Sequence, residues 1–371
     1  MLSSAFVLFP LPLRVRTSHK FVSKPSLAQS FTSLCGVRML NGTPKRSNST
    51  MSNLSSSAQN EATPEMWFVE HLTPHDVYHH GIRELLHASR SAYQSITVAE
   101  IGAYGRALFL DGKIQTAERD EHLYHQPLVH VPCIQVASPR NVLILGGADG
   151  GAAREALRWK SVEHVVVVEI DEQVVDACNK YLPKIGRGSF NSERCQLIIG
   201  DALDFVGNCK SEYDVVICDL TDPVEDGPSS NLFSIEFFKK IKACMSERSA
   251  LSIQVGPASL VESPTLMPRI CATLRAAFGV VHPYQIFTPT YGSPLGMAVV
   301  HRVPQEIRGT AEAEQLLSQE VEGDLSALDG PAFSALFALP PCTRKAIEEE
   351  QEIITEQNTA VAYGPAVSKT K

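Results

Sequence analysis

The chain has 371 residues, of which 44% are hydrophobic and 20% charged, and this composition and length predict a globular protein with one large and one smaller domain. No apolar stretch approaches the roughly 20 residues that a membrane-spanning helix needs, so we expect no membrane partner. Residues 61–371 hold 26 basic and all 41 acidic residues; a net charge of −15 disfavours nucleic acids and favours cationic partners, although solubility alone would explain it.

Residues 1–60 differ in composition from the rest of the chain. They contain seven Lys or Arg, seventeen Ser or Thr and no Asp or Glu. This pattern is typical of an organellar transit peptide, and the excess of Ser and Thr over Arg favours the chloroplast over the mitochondrion. The alternative is a plain disordered tail on a cytoplasmic protein.

Residues 66–130 predict a small N-terminal β domain followed by a linking helix. Its β-rich runs include "SAYQSITVAEIG" and "RALFLDGKIQTAE", which are interrupted by the turn signals "YG" and "DG". The helix is indicated by "ERDEHLYHQPLVHV", in which Leu123, Leu128 and Val129 lie near one face.

Residues 141–302 predict an α/β domain with a Rossmann-like parallel sheet of the methyltransferase type. Continuous apolar strands such as "NVLILGG", "HVVVVEI" and "YDVVICDL" alternate with amphipathic helices, as in a sheet covered on both faces. Ligands of such sheets bind at the carboxyl ends of the strands. Residues 303–371 form a charged tail that we predict to be helical.

Carboxylates follow each of four predicted strands in this domain. Asp149 follows the first strand, Glu169 ends the second, Asp201 follows the third, and Asp219 and Asp222 follow the fourth. Because the carboxyl ends of parallel strands meet at one edge, these acids predict a binding site for a cationic ligand.

The glycine turn "GGADGG" at 146–151 differs from a dinucleotide fingerprint. Ala148 replaces the middle glycine, and the adjacent Asp149 would repel a phosphate. The turn therefore fits a nucleoside without phosphate, or it is a tight turn with a capping Asp. Glu169 suits the ribose hydroxyls, whereas Asp201 suits either the adenine amino group or a helix N-cap.

A nucleoside without phosphate indicates a sulfonium donor. S-adenosylmethionine, the methyltransferase donor, ends in a carboxylate, whereas its decarboxylated form ends in a bare ammonium that Asp149 would attract. The acceptor amine reaches the site protonated, so it needs a base such as Asp219 before it can attack. A methyltransferase and a non-catalytic polyamine-binding protein remain the alternatives.

A metal site is the competing interpretation of the histidines. His122, His125 and His130 lie on one predicted helix, but the sequence places no third ligand type near them. We therefore expect no metal and interpret His125 as lining the pocket. The nine cysteines include no CxxC pair, which is typical of reduced thiols in an intracellular compartment.

In combination, the motifs "GGADGGAAREALRW", "VEIDE", "IGDALDF" and "CDLTDPVEDGP" resemble those of the polyamine aminopropyltransferases, the spermidine, spermine and thermospermine synthases. The resemblance covers about residues 66–302. It implies an N-terminal β domain, a Rossmann-like catalytic domain and a homodimer or homotetramer. Decarboxylated S-adenosylmethionine is then a co-substrate, and no further cofactor is expected.

The resemblance also implies roles for the carboxylates. Asp219 matches the catalytic base, and Asp222 matches the second acid that holds the acceptor amine. Asp149 would bind the aminopropyl ammonium, Glu169 the ribose and Asp201 the adenine.

Five further residues match positions that line the family's pocket. Gln94 and Gln115 match positions around the nucleoside, and Tyr124 and Tyr291 match tyrosines that flank the transferred group and the acceptor amine. Trp67 matches an aromatic residue near the distal amine. Without the resemblance, Tyr124 and Tyr291 would be interpreted as core residues.

The branch of the family follows from the strand that ends at Gln254, a further candidate substrate-binding residue. Spermidine synthases usually place an acid and a tryptophan after this strand, whereas this chain has "QVGPAS", which resembles thermospermine synthase. We therefore expect spermidine as the acceptor, with Glu225 and Asp226 able to meet its additional ammonium groups. The alternative is a spermidine synthase acting on putrescine, because the turn "GGADGG" is closer to the form of this turn in spermidine synthases.

Overall fold

A computed structural model describes residues 64, 66–73, 75–210, 212–223, 229 and 231–359. The segment 1–60, for which we predict a transit peptide, lies outside the described residues, as do Glu225 and Asp226.

The N-terminal part forms an antiparallel sheet whose strands follow one another in chain order. Its strands are Met66–His71 (β1), Val77–Arg90 (β2), Ser95–Ile101 (β3), Gly105–Leu110 (β4) and Lys113–Ala117 (β5). The predicted turn at Asp111 and Gly112 joins β4 to β5, and both residues have positive φ, as a two-residue hairpin turn requires. The β structure predicted for 66–117 is therefore present.

A buried helix, His122–Val136 (α1), links this sheet to the second one. It packs against the central strands of the second sheet, and its buried residues lie on every face of the helix. Its first turn carries Tyr124 and His125, which brings both side chains to the edge where the central strands end.

The second sheet contains seven strands within the described residues, in the order β11-β12-β10-β9-β6-β7-β8. The strands are Asn141–Gly146 (β6), His164–Glu169 (β7), Cys195–Ile199 (β8), Tyr213–Asp219 (β9), Met245–Pro257 (β10), His282–Ile286 (β11) and Leu295–His301 (β12). The helices between them are Gly151–Leu157 (α2), Glu172–Tyr181 (α3), Pro183–Gly186 (α4), Ala202–Asn208 (α5), Ile235–Cys244 (α6) and Leu266–Phe278 (α7).

The sheet is mixed, whereas the sequence predicted a parallel one. Strand β12 runs antiparallel to both β10 and β11. The link between β11 and β12, residues 287–294, is too short for the crossover that parallel neighbours need, so the chain must reverse there. The Rossmann-like arrangement of the remaining strands agrees with the prediction.

Apolar side chains cover the second sheet on both faces. On one face, Phe237 of α6 and Leu274 of α7 belong to one buried cluster. On the other face, Ile134 of α1 and Trp159 belong to a second cluster. Burial on both faces explains why the strands read as continuous apolar runs.

The tail contains three helices in its described part: Thr310–Glu320 (α8), Gly330–Leu336 (α9) and Pro341–Glu349 (α10). Helices α8 and α9 pack on each other, and α10 packs on α7. None of the helices in the described ranges is long and apolar enough to cross a membrane.

Candidate active site

Four adjacent parallel strands bring the predicted carboxylates to one edge of the sheet. Strands β9, β6, β7 and β8 are neighbours in that order, and Gly146 at the end of β6 pairs with Asp219 at the end of β9. The turn carrying Asp149 begins directly after Gly146. The carboxylates of Asp149 and Asp219 therefore face the same space.

Asp219 is nearly buried and is contacted by two side chains of α1. The Tyr124 hydroxyl donates a hydrogen bond to its Oδ1 at 2.7 Å, and Nε2 of His125 lies 4.0 Å from its Oδ2. Burial raises the pKa of Asp219 to about 6; the nearby His125 lowers it and the Asp149 carboxylate raises it. A carboxylate with this pKa is ionised at neutral pH and is a stronger base than an exposed aspartate.

Asp149 lies in the turn between β6 and α2. Its Oδ1 accepts a hydrogen bond from the Gly151 amide at 2.8 Å, and its Oδ2 lies 3.4 Å from Nε2 of His125. Burial would raise its pKa, but the neighbouring His125 and this amide outweigh burial and lower it. Asp149 is therefore anionic and able to bind an ammonium group. The predicted capping role is not borne out, because the N-cap of α2 is Gly150 and the Gly151 contact is a local turn hydrogen bond.

The glycines of this turn allow the close approach of its neighbours. Gly146 has φ of 83°, and a Cβ there would lie 2.1 Å from the carbonyl oxygen of Asp219. A side chain at Gly146 would thus separate β6 from β9 and displace the two carboxylates.

Glu169 lies at the end of β7, and its neighbour Asp171 is hydrogen-bonded to the loop between β2 and β3. Its Oε1 accepts a hydrogen bond from the Asp171 amide at 2.9 Å. The Asp171 side chain in turn accepts from Gln94 Nε2 at 3.1 Å and from Ser91 Oγ at 2.6 Å. Gln94 is therefore linked to Glu169 through Asp171, while the predicted contact with ribose stays a prediction. Burial raises the pKa of Glu169 to about 7.

Asp201 is the N-cap of α5 in this structure. Its Oδ1 accepts a hydrogen bond from the Leu203 amide at 2.6 Å, and the residue is exposed. The helix-cap alternative is therefore confirmed, while the predicted contact with adenine stays a prediction.

Asp222 and Gln254 lie together beyond the end of β9. The Gln254 amide donates to the Leu220 carbonyl at 3.0 Å, and its Oε1 accepts a hydrogen bond from the Gly256 amide at 2.9 Å. Burial raises the pKa of Asp222, and the Gln254 contact opposes this rise. Gln254 thus orients the second acid of the loop.

The remaining predicted residues are two tyrosines, Gln115 and Trp67. The rings of Tyr124 and Tyr291 meet edge to face at 6.1 Å, and the Tyr291 hydroxyl donates to the Gln115 carbonyl at 2.8 Å. The Gln115 side chain donates to the Lys113 carbonyl. Trp67 lies on β1 with its ring 6.2 Å from that of His79, so its contact with a distal amine stays a prediction.

Two charged residues at the core of the site were not identified from the sequence. Glu121 precedes α1 and lies 2.7 Å from Nδ1 of His125, and Arg154 of α2 donates to both Glu121 carboxylate oxygens at 2.9 Å. The sequence "ERDEHLYH" contains Glu121, but nothing in its spacing distinguishes this acid from its neighbours.

Three side chains of this centre have the spacing that a metal ion would require. His125, Asp149 and Asp219 each offer one atom, and the three atoms lie within 4.8 Å of one another. Of the three histidines predicted to lie on one helix, His130 points elsewhere and contacts Glu155 and Trp159. Burial would lower the pKa of His125, but Asp149 and Glu121 raise it well above its ordinary value. Metal binding at Nε2 would therefore have to displace the proton that these carboxylates stabilise on the imidazole.

Family models and known relatives match the chain over both sheets. A spermidine synthase tetramerisation domain matches residues 66–118, and a spermine/spermidine synthase domain matches residues 121–306. A polyamine aminopropyltransferase of Synechococcus sp. (strain JA-3-3Ab) is 42% identical over 79% of this chain and 96% of its own length. A thermospermine synthase of Arabidopsis thaliana is 31% identical over 81% of this chain and 89% of its own length.

A solved structure has the same fold. A crystal structure of spermidine synthase in complex with the transition-state analogue AdoDATO superposes with a TM-score of 0.70 at 27% identity, covering 76% of this chain and 95% of that one. These matches favour aminopropyl transfer over methyl transfer and over binding without catalysis. The chain belongs to the spermine/spermidine synthase family and is a polyamine aminopropyltransferase.

Proposed function

We propose that this enzyme transfers the aminopropyl group of decarboxylated S-adenosylmethionine to spermidine, giving thermospermine and 5′-methylthioadenosine. The observation that carries the proposal is the pair of carboxylates, Asp149 and Asp219, that share one space beside His125. One carboxylate suits the ammonium of the donor. The other suits the acceptor amine, which attacks the aminopropyl carbon of the donor.

The donor end is built by the turn after β6 and the end of β7. Asp149 binds the aminopropyl ammonium, and its negative charge disfavours a donor that retains the methionine carboxylate. Glu169 accepts hydrogen bonds from the ribose hydroxyls. Asp201 keeps its cap with Oδ1 and reaches the adenine with its carboxylate edge. Together these contacts align the aminopropyl carbon with the acceptor.

The chemical step is one displacement with one proton transfer. The acceptor ammonium gives a proton to Asp219, and the lone pair so released attacks the aminopropyl carbon next to sulfur. The carbon–sulfur bond breaks, its electron pair stays on sulfur, and neutral 5′-methylthioadenosine leaves. The new secondary amine is an ammonium, and the proton on Asp219 passes to solvent. Tyr124 holds the Asp219 carboxylate in place throughout.

A second group of carboxylates supports an acceptor with more than two amines. Burial raises the pKa of Glu262, and the charges of Asp222 and Glu70 add to this rise. Lys113 lies 3.8 Å from Glu70 and offsets part of this negative charge. The three carboxylates thus lie within electrostatic reach of one another. A third ammonium of the acceptor would relieve their repulsion.

The wall after β10 supports the same length of acceptor. Gly256 has φ of 81°, and a Cβ there would lie 2.4 Å from Cδ2 of the buried Leu266, so packing against α7 keeps this position a glycine. Ala258 is buried, and Ser259 follows it. These small residues stand where spermidine synthases usually have an acid and a tryptophan, and the absence of those two bulky side chains is what favours a longer acceptor.

We expect spermidine to be used at least tenfold better than putrescine when both are supplied together with the donor. A shielded contact between an ammonium and a carboxylate contributes about 1.5–3 kcal/mol, which is enough for this ratio. Chromatography of the products measures the ratio and separates thermospermine from spermine.

The matched variant for this experiment is Glu262→Gln, which should lower the use of spermidine and leave that of putrescine nearly unchanged. A preference for putrescine would instead make the enzyme a spermidine synthase. Spermine as the product would mean that the aminopropyl group is added to the other end of spermidine. Either result leaves the aminopropyltransferase chemistry in place.

We expect the affinity for 5′-methylthioadenosine to fall as the pH falls from 8 to 6. The pKa of Glu169 is about 7, so its carboxylate gains a proton over this range and accepts the ribose hydroxyls less well. The loss is at most about tenfold per pH unit below the pKa. Calorimetric titration measures it, and Glu169→Gln should bind weakly at every pH; a flat wild-type profile would contradict the role of Glu169.

The proposed assembly is a homodimer or homotetramer. The match of residues 66–118 to a spermidine synthase tetramerisation domain supports assembly through the N-terminal sheet. Light scattering of the purified protein measures its size, and a monomer would overturn the proposal.

The proposed location is the chloroplast, and its support is the composition of residues 1–60. A fluorescent fusion of these residues in plant cells should label plastids. Mitochondrial or cytoplasmic fluorescence would overturn this location without affecting the chemistry.

A further inference from the structure

A continuous series of buried ionic contacts extends from the substrate carboxylates into the layer between α1 and α2. Nε2 of His125 lies 3.4 Å from Asp149, and Nδ1 of the same ring lies 2.7 Å from Glu121. Arg154 then contacts both oxygens of Glu121 and also Glu155. All of these side chains are at most about one-tenth exposed.

The imidazole ring has little freedom to leave this position. A Cβ on Gly151 would lie 2.4 Å from its Cε1, so the backbone of α2 already touches one side of the ring. Tyr124 meets it edge to face with ring centroids 5.1 Å apart. The ring is therefore confined by packing and oriented by the acid at each of its nitrogens.

We propose that Glu121 and Arg154 are positioning residues for catalysis: Arg154 holds Glu121, and Glu121 holds His125 as a cation whose Nε2–H is directed between Asp149 and Asp219. Within the described contacts, neither Glu121 nor Arg154 makes a hydrogen bond or ion pair with Asp149 or Asp219. This inference rests on the proposed role of Asp219 as the base.

The fixed cation has a specific consequence for the base. Two cationic substrates must meet beside two buried carboxylates, and burial together with mutual repulsion would favour protonation of one carboxylate. His125 opposes this by lowering the pKa of Asp219, which otherwise rises further above about 6. Asp219 thus remains ionised and able to accept the proton of the acceptor amine.

Three carboxylates face His125, and one arginine contacts the first of them. Glu121 precedes its own helix, Asp149 belongs to the turn after β6, Asp219 ends β9, and Arg154 lies on α2. Burial would lower the pKa of His125, but Asp149 and Glu121 outweigh it and raise this pKa well above the ordinary value.

Further along the series, Glu155 contacts Arg154, Arg158 and His130. It makes no direct hydrogen bond or ion pair with His125 within the described contacts. Glu155 is therefore a matched control: a buried carboxylate of the same type, bound to the same arginine, but separated from the imidazole by Glu121.

The test is the pH profile of kcat/KM for Glu121→Gln. Gln keeps the size and an acceptor oxygen but removes the charge, so the pKa of His125 falls and that of Asp219 rises. We expect the acid limb of the profile to move up by roughly one pH unit. Glu121→Asp restores the charge and should return the limb towards the wild-type position, and Glu155→Gln should leave it unmoved even where thermal stability falls.

Nitrogen NMR of the imidazoles in the substrate-free protein gives a readout that does not require turnover. His125, assigned by the signal lost in His125→Gln, should be doubly protonated at pH 7 in the wild type and should titrate at lower pH in Glu121→Gln. The proposal is overturned if His125 is neutral at pH 7, or if Glu155→Gln shifts the acid limb as far as Glu121→Gln does.

The two readouts also separate this proposal from the proposed function. If Asp219 is not the base, the acid limb stays in place in every variant while the imidazole signal of Glu121→Gln still shifts. If Glu121 does not hold His125, neither the signal nor the limb moves. The wild-type spectrum decides the protonation of His125 even if Glu121→Gln does not fold.

Discussion

Replacing Asp219 with asparagine is expected to lower kcat by roughly 10²- to 10⁴-fold, the contribution that a general base typically makes. Asparagine retains the shape of the side chain and still accepts the hydrogen bond from Tyr124 at Oδ1. It has no affinity for the proton of the acceptor ammonium. Because Asp219 is nearly buried, we expect bulk water to replace it poorly as the acceptor.

The matched control for this substitution is Asp222→Asn, three residues further along. Asp222 lies beside Gln254 and belongs to the second group of carboxylates, so its loss should mainly raise KM for the amine. Steady-state rates with saturating donor separate the two effects. A near-normal kcat for Asp219→Asn would disprove the base, and a large loss of kcat in Asp222→Asn alone would exchange the two roles.

The edge on which the site lies could be predicted from the sequence, and the reason is local. Asp149, Glu169 and Asp219 each follow or end a continuous apolar strand, and parallel strands present their carboxyl ends together. The order of the strands then places β9 beside β6, which brings Asp149 and Asp219 to the same histidine. The alternation of apolar strands and helices predicts the parallel part of the sheet, but it does not include the reversal at 287–294 that makes β12 antiparallel.

Contacts between other charged residues of the site could not be predicted where the two members of the contact are distant in the sequence. Arg154 meets Glu121 across 33 residues, and Glu262 comes within reach of Glu70 across a far longer separation. Asp201 shows a different difficulty: a carboxylate after a strand serves equally well as a helix cap or as a ligand, and its local sequence is the same in both cases.

A single methyl group at position 151 is expected to disrupt the site almost as strongly as the loss of the base. In Gly151→Ala the new Cβ would lie 2.4 Å from Cε1 and 2.6 Å from Nδ1 of His125. The ring has no open side to move into, since Glu121 and Asp149 hold its two nitrogens. A displacement of about 1 Å among reacting groups costs roughly 10²-fold in rate, and overpacking of a buried site costs about 1–3 kcal/mol of unfolding free energy.

Gly207→Ala provides the control for this effect, because Gly207 is also helical but a Cβ there would meet nothing within 4 Å. We expect it to keep full activity and to gain about 0.5–1 kcal/mol, the usual difference between Ala and Gly in a helix. Chemical denaturation measures the unfolding free energy of the two variants, and steady-state kinetics measures their kcat. Full activity in Gly151→Ala would mean that the ring position tolerates movement, and the close contact of α2 with His125 would then have no part in arranging the carboxylates for transfer.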